Sequence, residues 1–266
     1  MESEGIIWRH VQTQIGESDM KTSGNTILIT GGGSGIGREL ARRWHDQGNS
    51  VIVAGRTLAS LEETAKGYDG IEAMTLDVGD AKDIARFAKE VVARFPALNV
   101  LVNNAGIMRF EDISGQRDLS DAEATIETNL LGPIRLTDAL LGHLKTKADA
   151  AIVNVSSGLA FVPMPKTATY SATKAALHSY TVSLRAKLEG QVEVIEIIPP
   201  AVQTELTPGQ STREGYMPLD DFIDETMEGF RTDETPPEVL TKPVLFLRNA
   251  EAEGRFDKAL AMTSQF

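Results

Sequence analysis

Cysteine is absent from the 266 residues, so disulfides, thiolate catalysis and cysteine-ligated zinc are excluded. Histidine is scarce: His10, His45, His143 and His178 are the only four, and none is paired at a metal-ligand spacing. No metal is expected. Basic residues are in deficit, 26 Lys and Arg against 38 Asp and Glu, giving a formal net charge of −12 and a pI of about 4.9. Such a surface repels polyanions, which argues against nucleic acid or an anionic membrane as a general partner. It leaves room for one local basic pocket that takes a phosphate. No apolar run approaches the length of a membrane span. The stretch from Met1 to Asp19 lacks the basic start and apolar run of a secretory signal. A cytoplasmic setting is expected by elimination.

What is present is an ordinary globular balance, 41% hydrophobic and 24% charged. Short apolar runs alternate with longer amphipathic segments. Strands are expected at Thr26–Ile29, Ser50–Ala54, Ile71–Leu76, Val100–Val102, Ala151–Val155 and Val192–Ile198. Helices are expected at Ile36–Gln47, Leu58–Ala65, Ala81–Arg94, Asp121–Asn129, Leu130–Lys145 and Thr169–Leu188. Strands that are apolar throughout and separated by helices indicate a parallel sheet covered on both faces. The expected fold is therefore α/β, a single-domain Rossmann fold with a doubly wound parallel sheet. Residues 1–19 read as a flexible extension, arm or tag, with Met20 a natural start, and residues 20–266 as one domain. Between about 204 and 233, Pro208, Gly209, Gly215 and Pro218 interrupt the pattern and Asp220, Asp221 and Asp224 accumulate, as in a substrate lid. Pro236–Leu247 reads as a further helix, the tail Arg248–Phe266 as mostly helical, and no seventh strand is evident.

The first strand runs into Thr30-Gly31-Gly32-Gly33-Ser34-Gly35-Ile36-Gly37 and then a helix. Glycines let the backbone turn tightly and approach a pyrophosphate, and the helix start offers free N–H groups and a positive dipole end. The spacing of Gly31, Gly35 and Gly37 is G-x-x-x-G-x-G. It is neither strict G-x-G-x-x-G nor a phosphate loop with Gly-Lys-Ser/Thr. Arg56 stands just past the second strand, where NAD-preferring folds commonly place an acid. A guanidinium suits the 2′-phosphate of NADP through forked, charge-assisted bonds; the plain alternative is a solvated arginine at a helix start. Asp77 and Val78 follow the third strand, where the carboxylate could bond an adenine amino group or simply cap a helix. Asn103, Asn104, Ala105 and Gly106 end the fourth strand, with small residues that let a ribose pass and an amide that can tie strands together.

Tyr170 and Lys174 lie four apart on the long helix, and Ser157 thirteen residues before the tyrosine. Tyrosine and lysine at i, i+4 share one helix face. A nearby ammonium favours the phenolate and lowers a phenol pKa that is ordinarily about 10, which suits Tyr170 to proton exchange with an alcohol or ketone. Ser157 could hold the substrate oxygen beside it. Asn129 interrupts an apolar helix, where asparagine is a poor former; it either distorts the helix around a water or is a polar face residue. Pro199 and Pro200 stop the sixth strand, and Val202 and Thr204 beyond them could meet a nicotinamide carboxamide. Met108 and Phe110 on one side, and Phe161 and Met164 on the other, should flank an apolar substrate space.

Together these residues resemble the short-chain dehydrogenase/reductases, in the branch bearing an Asn-Ser-Tyr-Lys tetrad, over about residues 25–205. The resemblance implies that Gly31, Gly33, Ser34, Gly35, Ile36 and Gly37 hold a cofactor pyrophosphate. Asp77 and Val78 would contact adenine, and Asn103, Ala105 and Gly106 the adenosine ribose region. Tyr170 would be general acid and base, with Lys174 lowering its pKa and bonding the nicotinamide ribose. Ser157 would polarise the carbonyl, and Asn129 would hold the water of a proton relay. Pro199-Pro200, where the family commonly has Pro-Gly, is similar to the sub-branch named after the lipoteichoic-acid D-alanylation operon. The implied activity is interconversion of a ketone or aldehyde and an alcohol with NADP(H), or with NAD(H). The substrate would be a small apolar or aromatic compound. A homodimer or homotetramer is implied through the helices near 130–145 and 169–188. Alternatives are a purely NAD-dependent enzyme, a non-catalytic nucleotide-binding sensor, and an epimerase or dehydratase, for which the roughly sixty residues after Thr204 leave little room.

Overall fold

The computed structural model describes residues 20–231 and 235–265. The expected N-terminal extension, the last residues of the expected lid and Phe266 lie outside the described residues. In chain order the elements are β1 (Thr26–Thr30), α1 (Gly35–Asp46), β2 (Ser50–Gly55), α2 (Leu58–Ala65), β3 (Ile71–Thr75), α3 (Ala81–Arg94) and β4 (Val100–Asn103). There follow α4 (Ser120–Ile126), a π-helical turn (Glu127–Leu131), α5 (Gly132–Leu144), β5 (Ala151–Val155), α6 (Ala168–Leu188) and β6 (Glu193–Ile198). The chain closes with α7 (Leu219–Gly229), β7 (Glu238–Leu240), α8 (Leu245–Arg248) and α9 (Phe256–Thr263).

The strands form one seven-stranded sheet in the order β3-β2-β1-β4-β5-β6-β7, and all its pairings are parallel. Successive side chains leave opposite faces of a strand, and the two cores follow that alternation. Ile27 and Ile29 of β1 join Leu40, Trp44, Phe222 and Met227 on the face covered by α1 and α7. Leu28 between them joins Phe87, Val91, Leu136 and Leu140 on the face covered by α3 and α5. Val194 of β6 and Leu188 of α6 belong to that second face. This is the doubly wound Rossmann arrangement.

Two expectations change. A seventh strand exists: the segment read as a helix over Pro236–Leu247 supplies β7 and then only short turns. Val239 pairs with Ile197 and is buried, so edge pairing and burial override a weak local pattern. The expected lid is mostly anchored structure. Its helix α7 buries Phe222, Ile223 and Met227, and Phe230 meets the Trp44 ring edge-on at 5.4 Å.

Candidate active site

The carboxyl ends of β1 to β5 converge on a cleft of about 420 Å³, bordered at one end by Arg56 and Asp77 and at the other by Ser157 and Tyr170. The glycine loop forms its middle. Gly35 adopts φ +50°, a left-handed conformation that disfavours any side chain. A Cβ on Gly37 would stand 2.4 Å from the carbonyl oxygen of Gly31 and 2.5 Å from the Asn104 amide. Without side chains there, the turn of the loop and the start of α1 can pack together. Ser34, the residue before α1, makes no side-chain cap bond, and the first turn carries no acid. The N-terminal N–H groups and the positive dipole end are thus left for an anion. The loop is braced by Asn104, whose Nδ2 donates to Thr30 O at 2.9 Å, and by Thr30 Oγ1, which accepts from Asn104 N and Ala105 N, each at 3.1 Å.

Of the expected cofactor residues, Gly31, Gly33, Ser34, Gly35, Ile36, Gly37, Arg56, Asp77, Val78, Ala105, Gly106, Pro199, Val202 and Thr204 border this cleft. Asn103 does not. Its amide is buried and donates to Thr137 Oγ1 at 3.1 Å and Asn154 Oδ1 at 2.8 Å, binding β4 to α5 and β5. Arg56 is exposed, with no ion pair among the described residues.

At the other end, Tyr170 and Lys174 stand on consecutive turns of α6, both buried. Lys174 Nζ donates to Val155 O at 2.7 Å and lies 5.6 Å from the centre of the Tyr170 ring. Burial sets both proton affinities. It pushes the Tyr170 phenol up to about 12, against a lowering by the Ser157 hydroxyl hydrogen-bonded to it. It pulls the Lys174 ammonium down to about 8, opposed by the negative charge of Glu196. The expected acidification of Tyr170 by Lys174 is therefore not what dominates; loss of solvent outweighs an ammonium committed to a carbonyl.

Asn129 sits in the π-helical turn between α4 and α5 and is fully buried. The expected local distortion is present. Its side chain pairs with one residue in both senses: Nδ2 donates to Ile107 O at 2.8 Å and Oδ1 accepts from Ile107 N at 2.9 Å. Thr173 Oγ1, one turn from Tyr170, lies 3.4 Å from the same amide.

The expected apolar flank is not assembled as read. Met108 and Met164 are buried away from the cleft, and Phe110 is half exposed. Phe161 packs edge-on against His178 at 4.7 Å with the Arg248 guanidinium 4.6 Å from its ring centre. The cleft is lined instead by Ile107, Val155 and Leu206, with polar Asn104, Arg109 and Gln210. Gln210 was not anticipated; its Nε2 donates to Val202 O at 2.8 Å and Thr204 Oγ1 at 3.1 Å, holding that loop over the cleft. Glu196 and His178 were also missed. The signal was available: Glu196, a carboxylate inside the apolar run Val194–Ile198, and a histidine one turn beyond Lys174.

Residues 25–215 match the short chain dehydrogenase family. The chain belongs to that family. A relative named "uncharacterized oxidoreductase DltE" from Bacillus subtilis strain 168 is 38% identical over 237 residues, spanning 87% of this chain and 93% of its own. That likeness agrees with the sub-branch read from Pro199 and Pro200. The alcohol dehydrogenase of the archaeon Thermococcus sibiricus, solved with 5-hydroxy-NADP, superposes with a TM-score of 0.74 at 26% identity, over 83% of this chain and 97% of that one. The 3-ketoacyl-(acyl-carrier-protein) reductase of Brucella melitensis, solved with NADH, gives 0.70 at 27% identity over 77% and 89%. This short-chain dehydrogenase is thus an oxidoreductase, and no helix among its described residues is long and apolar enough to cross a membrane.

Proposed function

We propose that this short-chain dehydrogenase interconverts a ketone or aldehyde and an alcohol with NADP(H), using Tyr170 as general acid and base. The observation that carries the reading is the buried Tyr170–Lys174 pair, with Ser157 beside the phenol, in a cleft floored by a glycine cradle. The cradle fits a dinucleotide: it has no side chains where a pyrophosphate would rest, a helix start without a side-chain cap, and the exposed guanidinium of Arg56. A neutral ligand would leave those donors unanswered. Arg56 at the end of β2 supports NADP(H) over NAD(H), because a 2′-phosphate supplies the charge it lacks.

When bound, a reduced nicotinamide supplies hydride to a carbonyl carbon. The chain's own residues handle the oxygen. The Ser157 hydroxyl donates to the carbonyl oxygen and fixes it beside Tyr170. The phenol O–H transfers its proton to that oxygen as negative charge develops, and the resulting phenolate faces the Lys174 ammonium. In the oxidative direction the same phenolate takes the alcohol proton. Asn129, with Lys174, would hold the water that returns a proton to Tyr170. Gly31 to Gly37, Asp77, Val78, Ala105 and Gly106 hold the cofactor, with Asn103 acting through the strand end it braces; Val202 and Thr204 hold its nicotinamide end. The segment over about 204–233 acts as the lid. The substrate is a small carbonyl compound or alcohol that fits between Ile107, Val155 and Leu206. Helices α5 and α6, the latter with exposed Val182, are read as the dimer or tetramer face, and the setting as cytoplasmic.

Tyr170→Phe is the test. Turnover of a ketone and aldehyde panel, followed by nicotinamide absorbance, is expected to fall about 10²–10⁴-fold. The cofactor dissociation constant should stay within about twofold, since a phenol O–H is lost without a charge. Comparable turnover in the variant refutes the assigned acid.

A further inference from the structure

Behind Lys174, the sheet carries a polar row on the face covered by α5 and α6. Asn103 of β4 pairs in register with Asn154 of β5, Asn154 with Glu196 of β6, and Glu196 with Glu238 of β7. The amides are satisfied: Asn103 donates to Asn154, and Asn154 Nδ2 donates to Thr181 Oγ1 of α6 at 2.9 Å. Glu196 is different. Its side chain has no solvent exposure, His178 Nδ1 lies 2.8 Å from Oε2, and Oε1 has no hydrogen-bond partner among the described residues. A carboxylate buried this way is costly unless nearby cations answer it.

The groups that face it come from every element packed around it. Lys174 and His178 come from consecutive turns of α6, one and two turns beyond Tyr170. Arg248 of α8 comes from the other side and feels Glu196, but it forks both oxygens of Glu238 at 2.7 and 2.9 Å. Arg185 of α6 is committed to the carbonyls of Val194 and Pro237. Lys174 is thus the remaining cation, and it is anchored on Val155, which pairs with Ile197, the residue next to Glu196. The donor atoms of His178, Glu196 and Glu238 lie within 4.8 Å of one another. The guanidinium of Arg248 occupies the carboxylate that a divalent cation would need, so the cluster is read as a charge network and not a metal site.

We propose that Glu196, clamped by His178, is a positioning residue for Lys174: a buried carboxylate that keeps the ammonium charged beside Tyr170. This deepens the Tyr170 reading and rests on it. Glu196 touches neither cleft nor substrate and acts through Lys174. The direction of its effect agrees with geometry, because Glu196 is the group that raises the proton affinity which burial lowers.

The experiment compares the wild-type enzyme with Glu196→Gln, a near-isosteric change that removes only the charge. The ¹³C shift of the Lys174 ε-carbon is titrated in lysine-labelled protein and assigned by its loss in Lys174→Met. The Lys174 midpoint is expected to fall by about one pH unit in Glu196→Gln, and the alkaline limb of carbonyl reduction to move with it. An unchanged midpoint overturns the proposal; a purely structural role would lower turnover at every pH and leave the midpoint in place. Should Glu196→Gln not fold, His178→Phe removes the clamp and keeps the carboxylate. The midpoint should then fall by less and return toward wild type in His178→Gln, whose amide can donate in place of the ring; no movement in His178→Phe is equally fatal. The two readings fail separately. An active Tyr170→Phe sinks the assigned acid whatever the titration shows, whereas an inactive Tyr170→Phe with an unmoved Lys174 midpoint sinks only the role of Glu196.

Discussion

The two ends of the cleft solve opposite electrostatic problems. Around β1 and β2 the binding groups are backbone N–H donors and one exposed guanidinium, Arg56. The guanidinium stays in water, where its field is screened. Around β5, β6 and α6 the groups are side chains with almost no water: Tyr170, Lys174 and Glu196. There loss of solvent moves a phenol up to about 12 and an ammonium down to about 8. In the proposed reaction one end recognises a fixed anion and the other holds a proton in balance, which requires a site of low dielectric and therefore buried charge.

Lys174→Met should break the contrast most sharply. Turnover is expected to fall at least about 10²-fold as the phenolate loses its ammonium. Stability should move the other way. Lys174 binds fewer protons folded than unfolded between about 8 and its ordinary 10.5, so folding stability rises with pH across that window. Below it both states are charged and the burial cost, on the order of 3 kcal/mol, weighs fully against the fold. Removing the amine should raise the Tm at pH 7 by about 5 °C, an advantage that shrinks toward pH 10.5. Tyr170 carries the opposite sign. Its phenol stays neutral to about 12 in the fold but ionises from 10 when unfolded, so both proteins should lose stability together between those values. Thermal unfolding scanned over pH reads all three features; a Tm that drops in Lys174→Met at pH 7 would contradict the burial argument.

Gly37→Ala tests the other end. The added methyl would meet backbone at 2.4 Å, so the loop must shift, at a cost of about 1–3 kcal/mol. Nucleotide binding, read by fluorescence titration, should weaken severely, while the Tyr170 and Lys174 titrations stay where they are. Arg56→Ala should give the smallest change. The dissociation constant of NADP(H) is expected to rise about tenfold with NAD(H) nearly unaffected. Because the guanidinium is exposed, the difference should shrink between low and high salt. A salt-insensitive preference, or an unchanged one in the variant, would remove Arg56 from cofactor choice.

Much of this was legible in one dimension. The glycine spacing after a strand, the Tyr170–Lys174 interval and Ser157 before it are local or helical relations, and local geometry carries them into space almost unchanged. The doubly wound sheet followed from apolar runs separated by amphipathic ones, and the distortion at Asn129 from a poor helix former among apolar neighbours. Illegible were relations that depend on which strand lies beside which. The strand Glu238–Leu240 is too short to show a period and exists because Ile197 offers it an edge. Phe161 looked like a substrate wall and is instead a platform between His178 and Arg248, residues distant in the chain.

By itself, then, the order of residues determined the fold class, the glycine turn after β1 and the phenol, amine and hydroxyl proposed to react, because each rests on contacts within a few residues or on repeating strand–helix periods. Only the tertiary structure decided their proton affinities and their company: how far Tyr170 and Lys174 are stripped of water, and that Glu196 stands behind them. Burial and long-range charge are properties of packing, and no spacing along the chain encodes them.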